Sequence, residues 1–197
     1  MKLFCAVLSG VLCIGHISFA EPRVTYNAFG LPGLIDMPSA QSAPDAELSF
    51  SISQSGKSLR NTLTFQIAPR LTGAFRYSSI ETPGYTLFDR SFDLRYRLLD
   101  ETDRRPAVAV GLQDFIGTGV YSGEYVAASK RLGPVVATAG IGWGRLGSHN
   151  SFDNPLGAIS SRFDTRDAGY TGTGGRIEAA RWFRGPAALF AGVSWQM

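Results

Sequence analysis

The chain has 197 residues, of which 44% are hydrophobic and 18% charged, and its formal net charge at pH 7 is +3. A chain of this length can form one domain with a substantial core. The basic excess is too small for nucleic-acid binding, which requires a concentrated basic surface.

The first 20 residues predict a cleaved secretory signal peptide. Lys2 supplies the positive start, residues 3–17 the apolar stretch, and Ser18-Phe19-Ala20 a cleavage site of the small-x-small type. An uncleaved membrane anchor is the alternative, but the apolar stretch is short and interrupted by glycine and histidine. A lipoprotein start at Cys13 is less favoured, because Leu12 stands where a small residue is usual.

Both cysteines, Cys5 and Cys13, fall within this segment, so the predicted mature chain has no thiol and a single histidine, His149. Zinc and iron sites require several Cys or His ligands, and a Ser-His-Asp arrangement would depend on His149 alone. We therefore expect no metal, no cofactor and no catalytic residue, and predict that the protein is not an enzyme.

Residues 21–45 form a segment rich in proline and glycine, with "GLPGLIDMPSA" at its centre (30–40). The prolines prevent a helix and favour an extended, turning backbone. Two placements are compatible with the sequence: a plug in the mouth of a barrel, or a segment on its periplasmic rim.

From residue 46 onward, apolar and polar residues alternate in short stretches, which is typical of β-strands with two different faces. The stretches are 46–54, 62–68, 71–78, 91–100, 106–115, 123–131, 134–144, 175–183 and 188–197. Gly- and Pro-containing turns separate them, and long loops are predicted at 79–88 and 145–174. The pattern predicts about ten antiparallel strands over residues 46–197.

The stretch 91–100 poses the choice between two fold classes, since Phe92 and Tyr96 point one way and Arg95 the other. A soluble sandwich would bury the aromatic residues, whereas a membrane barrel would enclose the arginine. The polar faces carry mainly Ser, Thr, Gly and Gln with few lysines, which favours the interior of a small barrel. Aromatic residues near strand ends would suit interfacial girdles: Tyr77, Phe115, Tyr121, Trp143, Trp182 and Trp195.

The charged residues of the polar faces are the candidate site residues. They are Arg76, Asp93, Arg95, Arg97, Glu124 and Lys130. One interpretation is a structural network in which opposite charges neutralise one another inside the lumen. The other is contact with an acidic or hydroxyl-rich polysaccharide, because guanidinium groups suit carboxylates and sugar oxygens.

Several long strings in the sequence resemble the YjbH family of exopolysaccharide biosynthesis proteins. They include "NAFGLPGLIDMPSAQSAPDAELSF" (27–50), "PAVAVGLQDFIGTGVYSGEYVAASKR" (106–131) and "GIGWGRLGS" (140–148). The resemblance implies an outer-membrane β-barrel that takes part in exopolysaccharide or capsule production or export. It also implies outer-membrane lipid, polysaccharide and exopolysaccharide-export proteins as partners. Family members are longer, and the resemblance covers only their N-terminal part.

The sequence thus predicts an all-β protein, an antiparallel transmembrane β-barrel of about ten strands or the N-terminal portion of a larger one. We expect it in the cell outer membrane of a Gram-negative bacterium. The alternative is a secreted or periplasmic β-sandwich that binds carbohydrate.

Overall fold

The computed structural model describes residues 24–167, 175–177 and 179–195. The predicted signal peptide (1–20) lies outside the described residues. Within these ranges the secondary structure is β-strand with short 3₁₀ helices. No helix in the described part of the chain is long and apolar enough to cross a bilayer.

Strands follow one another along most of the chain. They are β1 (Gly33–Leu34), β2 (Met37–Pro38), β3 (Leu48–Ser55), β4 (Ser58–Ala68), β5 (Leu71–Thr82), β6 (Tyr85–Leu99), β7 (Ala107–Gly117), β8 (Gly123–Leu132), β9 (Val135–Trp143), β10 (Arg176–Ile177) and β11 (Ala187–Trp195). The 3₁₀ helices are η1 (Gly144–Gly147), η2 (Pro155–Ala158), η3 (Ser161–Phe163) and η4 (Ala179–Arg181).

The main sheet is antiparallel and pairs strands in sequence order from β3 to β9, with β11 next to β9 and β10 attached to β7. It curls into a half-barrel. In the described residues β3 and β11, the two ends of the sheet, do not pair with each other. The all-β, antiparallel class is therefore confirmed, and the architecture that the structure gives is a curled, open half-barrel sheet.

The two faces of this sheet differ sharply in composition. On β6, Phe92 and Tyr96 are 45% and 44% exposed, whereas Arg95 between them is 1% exposed. On β3, Phe50 is 64% exposed and lies between half-buried serines. We call the side chains on the mainly apolar, exposed face of the sheet the outward row and those on the mainly polar, buried face the inward row. A water-soluble sandwich would show the reverse arrangement, with aromatic side chains inside.

The inward row is covered by residues 24–45, which we call the inner segment. β1 and β2 form a small hairpin within it, and Phe29, Leu31 and Ala40 are buried against the sheet. Met37 lies close to Gly192 of β11, while Ala28 accepts a hydrogen bond from Ser53 of β3. The segment therefore spans the space between the two ends of the sheet, on its inward side.

Two local predictions are wrong. Residues 79–88, expected as a long loop, belong to the β5–β6 hairpin, in which Ser79 pairs with Phe88 and Pro83-Gly84 make the turn. The stretch 175–183 is predicted as one strand, but among its described residues only Arg176–Ile177 form a strand. Residues Ala179–Arg181 instead form η4, and Phe183 has a φ of 57°, which is incompatible with a continuing strand.

The predicted aromatic girdle is also wrong at two positions. Tyr121 and Trp143 are buried. Tyr121 packs edge-on against Phe29 of the inner segment with ring centroids 5.3 Å apart, and Trp143 packs similarly on Phe183 at 5.2 Å. Both rings therefore cover other parts of the chain. Trp195 is 67% exposed on β11.

Candidate functional site

A buried ion pair lies at the centre of the inward row. Arg76 of β5 donates from Nη1 and Nη2 to the two carboxylate oxygens of Asp93 on β6, at 2.7 and 3.1 Å. Arg76 also donates to Ser91 Oγ at 3.0 Å, and Asp93 accepts the Asp114 N–H at 2.7 Å. Such a bidentate, charge-assisted pair is among the stronger polar contacts in proteins.

Phe29 of the inner segment lies among guanidinium groups. The Cζ atoms of Arg145, Arg60 and Arg76 are 3.9, 4.5 and 5.0 Å from the centre of its ring. A cation over an aromatic face is attracted by the ring quadrupole, more strongly where water is excluded. This ring therefore anchors the inner segment to the inward row without neutralising the arginines.

The main chain of the inner segment is held by side chains of the inward row. Ser53 donates to the Ala28 carbonyl and Thr64 to the Gly30 carbonyl, both at 2.6 Å. On β8, a more distant strand of the same sheet, Ser129 Oγ accepts the Ala40 N–H at 2.8 Å. Because these three contacts use backbone groups of the inner segment, they do not depend on its side chains.

Gly30 permits this close approach. Its φ is +75°, and a Cβ atom built there would lie 2.5 Å from the Thr62 Cβ. Two constraints therefore require glycine: the left-handed backbone and the absence of space above β4. Asn27 supports the same bend, because its Oδ1 accepts the N–H groups of Phe29 and Leu31 at 2.9 and 3.1 Å.

Arg95 is buried with free hydrogen-bonding capacity. Its Nη2 donates to the Gln41 carbonyl of the inner segment. Its Nε and Nη1 atoms, like two nitrogens of Arg60, have no hydrogen-bond partner among the described residues. The Tyr125 hydroxyl is also buried without a partner in that part of the chain. Unsatisfied buried donors are rare and call for an explanation.

The structure separates the six predicted site residues into two rows. Arg76, Asp93, Arg95 and Arg97 belong to the inward row. Arg97 lies at the end of β6, where its Nε is 2.9 Å from an Asp100 carboxylate oxygen.

Glu124 and Lys130 belong to the outward row instead, since the register places Glu124 opposite Leu112 and Lys130 opposite Ala137. The expectation of one shared polar face is therefore corrected for these two residues.

Glu124 is nevertheless buried, because the connection after β9 folds over it. Arg166 donates to both of its carboxylate oxygens, at 2.6 and 3.0 Å, and Phe183 N–H donates to it at 2.9 Å. Lys130 lies at the opposite end of β8, where its Nζ is 3.2 Å from Glu101. Glu124 thus fixes a loop to the sheet, and Lys130 joins a partly exposed rim pair.

Sequence reasoning missed Arg60 and Arg145. Arg60 lies two residues before the stretch 62–68, in phase with Thr62 and Thr64, so extending that strand would have found it. Arg145 follows β9 and donates to two parts of the chain. Its Nη1 is 3.0 Å from Asp36 Oδ2 in the inner segment, and its Nη2 is 3.1 Å from Gln113 Oε1 on β7. No local pattern indicates such a contact.

Burial perturbs two titratable groups outside the main strands. It lowers the pKa of Arg145, an effect that the neighbouring Asp36 carboxylate opposes. It raises the pKa of Tyr26, whose hydroxyl donates to Glu47 at 2.8 Å. The Tyr26 hydroxyl therefore remains protonated at neutral pH and keeps the inner segment joined to the start of β3. No metal-binding group of three or more His, Cys, Asp or Glu residues occurs in the described ranges.

Comparison with known proteins gives one family and one curated relative. The family model described as "Exopolysaccharide biosynthesis protein YbjH" matches residues 25–197. The "Uncharacterized lipoprotein YjbH" of Escherichia coli (strain K12) is 36% identical over 194 residues. This match covers 93% of the present chain and 28% of the E. coli protein, so the chain spans little more than a quarter of that relative. No solved structure matches the chain.

Proposed function

This chain belongs to the YjbH family of exopolysaccharide biosynthesis proteins, and we propose that it forms part of an outer-membrane β-barrel that acts in exopolysaccharide production or export. Membership confirms the resemblance inferred from the sequence strings. The observation that carries the membrane assignment is the outward row. The proposed role is non-catalytic, with outer-membrane lipid, polysaccharide and export proteins as partners.

The outward row supports contact with hydrocarbon. Leu63 and Phe65 on β4, Phe75 on β5 and Phe92 on β6 are adjacent in the sheet and all exposed. Large continuous apolar surfaces mark membrane or protein contacts, because they are costly in water. Strands β4, β5, β7, β8 and β9 have 9–12 residues, which suits a tilted strand crossing a bilayer of ~30 Å, for which about 9–11 residues are needed.

The lengths of the connections between strands support an assignment of which rim of the sheet faces the cell exterior. One rim has connections of residues 69–70, 100–106 and 133–134, and the other has 56–57, 83–84, 118–122 and 144–186. Outer-membrane barrels have short periplasmic turns and longer extracellular loops. The rim with the 144–186 connection is accordingly assigned to the cell exterior. The inner segment then joins β3 from the periplasmic side.

Export is supported by two features of different origin. The first 20 residues carry the pattern of a secretory signal peptide, and the E. coli relative is named a lipoprotein. Both are consistent with a protein that leaves the cytoplasm and reaches a membrane. The polar, arginine-bearing inward row would then line the enclosed space that a hydrophilic polymer requires.

Membrane fractionation tests the assignment most simply. A barrel stays in the detergent-resistant outer-membrane pellet and migrates differently on gels before and after heating. A periplasmic sandwich washes into the soluble extract and shows no such shift. Recovery of the folded protein in the soluble extract would refute the proposal.

The polysaccharide role is tested with paired arginine substitutions. Arg95→Ala with Arg97→Ala should reduce surface polysaccharide while the protein is still found in the outer membrane, because two inward guanidinium groups are lost. The matched control is Arg104→Ala with Arg105→Ala, which removes the same charge from the exposed β6–β7 connection. Unchanged polysaccharide in the first variant would contradict contact through this row.

A further inference from the structure

The inner segment occupies the inward row through contacts that a different oxygen-rich chain could make. Ser53, Thr64 and Arg95 all donate to its backbone carbonyls, and Arg145 donates to the Asp36 carboxylate at 3.0 Å. Hydroxyl and guanidinium donors recognise sugar hydroxyls, ring oxygens and carboxylates by the same chemistry.

The inward row also keeps binding capacity that the inner segment does not use. Arg60 and Arg95 are 8% and 1% exposed, and each has two guanidinium nitrogens without a partner among the described residues. Burying a guanidinium with unmet donors is costly unless an acceptor reaches it. Neither arginine forms an ion pair with a carboxylate in the described part of the chain.

Withdrawal of the segment would increase this capacity further. Arg145 would lose Asp36, Arg95 would lose the Gln41 carbonyl, and Arg60 would lose the Phe29 ring. Arg76 would remain paired with Asp93. Three guanidinium groups would then face a space that an extended chain had occupied.

We propose that the inward row is a binding groove for a carboxylate-bearing polysaccharide, and that the inner segment occupies this groove as an internal substitute that the polysaccharide displaces. The proposal rests on the proposed function only for the statement that polysaccharide reaches this side of the sheet. Carboxylates are favoured over neutral sugars because the free donors are charged and geometrically suited to bidentate contact.

The test measures binding of fluorescein-labelled oligogalacturonate to the purified full chain in detergent, by fluorescence anisotropy. Gly30→Ala should tighten binding about tenfold or more, because the added Cβ clashes with Thr62 and prevents the segment from seating. The matched control is Gly56→Ala, which has a similar positive φ in the β3–β4 turn but no atom within 4 Å. The control should bind like the wild type.

A cross-link tests the same proposal in the opposite direction. Ala40→Cys with Ser129→Cys joins the segment to β8 at a point where Ser129 Oγ is 2.8 Å from the Ala40 nitrogen. The oxidised protein should bind the probe at least about tenfold more weakly than the same protein after reduction. This comparison remains decisive if the Gly30 variant fails to fold.

Two further arms identify the groove and the ligand class. Arg60→Gln with Arg95→Gln should weaken probe binding at least about tenfold, because two charged donors to the carboxylates of the probe are lost. Arg104→Gln with Arg105→Gln, an equal charge change on an exposed connection, should leave it within about twofold. Dextran of the same length should bind at least about tenfold more weakly than oligogalacturonate.

The inference is overturned if Gly30→Ala binds no better than Gly56→Ala and oxidation of the cross-link has no effect. It is also overturned if both arginine pairs weaken binding equally, since general charge attraction would then explain the affinity. Fractionation and polysaccharide output report on the proposed function independently. An outer-membrane protein that affects polysaccharide but shows none of these binding changes would retain that function and lose the groove.

Discussion

Replacing Asp93 by alanine is the most informative test of the inward row. The substitution removes the acceptor of two Arg76 bonds, at 2.7 and 3.1 Å, and of the Asp114 N–H at 2.7 Å. It leaves a guanidinium that is 0% exposed without its counterion. Breaking one side of a buried pair costs about 3–5 kcal/mol of unfolding free energy. Urea titration in detergent, followed by tryptophan fluorescence, measures this loss.

Two comparisons decide whether the reasoning is correct. Asp100→Ala breaks pairs with Arg70 and Arg97 at the exposed rim and should cost no more than about 1 kcal/mol. Arg76→Met with Asp93→Leu should recover at least part of the loss, since replacing both charges removes the unpaired ion. Equal losses for Asp93→Ala and Asp100→Ala would show that water screens the inward pair, and would refute the argument from burial.

Three further predictions address the loop, the outward row and the N-terminus. Glu124→Gln should cost about 3 kcal/mol, because Arg166 loses a buried counterion, and should make the connection after β9 more sensitive to trypsin. Phe50→Arg should cost about 2–4 kcal/mol in lipid vesicles, as expected for a cation on a lipid-facing strand position. Mass spectrometry of the mature protein should show a chain that begins at Glu21, whereas an acylated chain beginning at Cys13 would indicate lipoprotein processing.

Matched controls accompany the two stability predictions. Glu101→Gln removes the partly exposed ion pair with Lys130 but keeps an oxygen that can accept the Arg131 N–H, and it should cost at most about 1 kcal/mol. Ile159→Arg adds a cation at an exposed loop position and should change stability by about 0.5 kcal/mol or less. If Glu124→Gln matches Glu101→Gln, Glu124 does not fix the loop. If Phe50→Arg matches Ile159→Arg, the outward row faces water.

The strands and the orientation of most side chains could be predicted from the sequence because they depend on local alternation. The 91–100 stretch lies almost entirely within β6, and its aromatic side chains are outward and Arg95 inward. Period-two alternation determines which residues share a face. Gly and Pro turn signals identified turns such as Gly133-Pro134 between β8 and β9.

The contacts between distant segments could not be predicted in this way. In β8, small residues occupy both faces, so alternation did not show that Glu124 lies in the outward row, and only its register with Leu112 determines this. The position of Phe29 among Arg60 and Arg145 brings together residues that are far apart in the sequence. The fold of residues 79–88 depends on the tight turn at Pro83-Gly84, which permits the hairpin to continue.

Site-directed spin labelling along β6 tests the central claim most directly. Single cysteines at Phe92, Tyr96 and Leu98, and at Ser91 as the inward comparison, would be introduced into the predicted mature chain, which has no cysteine of its own, then labelled and reconstituted into vesicles. Nitroxides at the first three positions should collide readily with oxygen, which concentrates in hydrocarbon, and rarely with a water-soluble nickel chelate. Frequent collisions with the nickel chelate at those three positions would contradict a lipid-facing outward row.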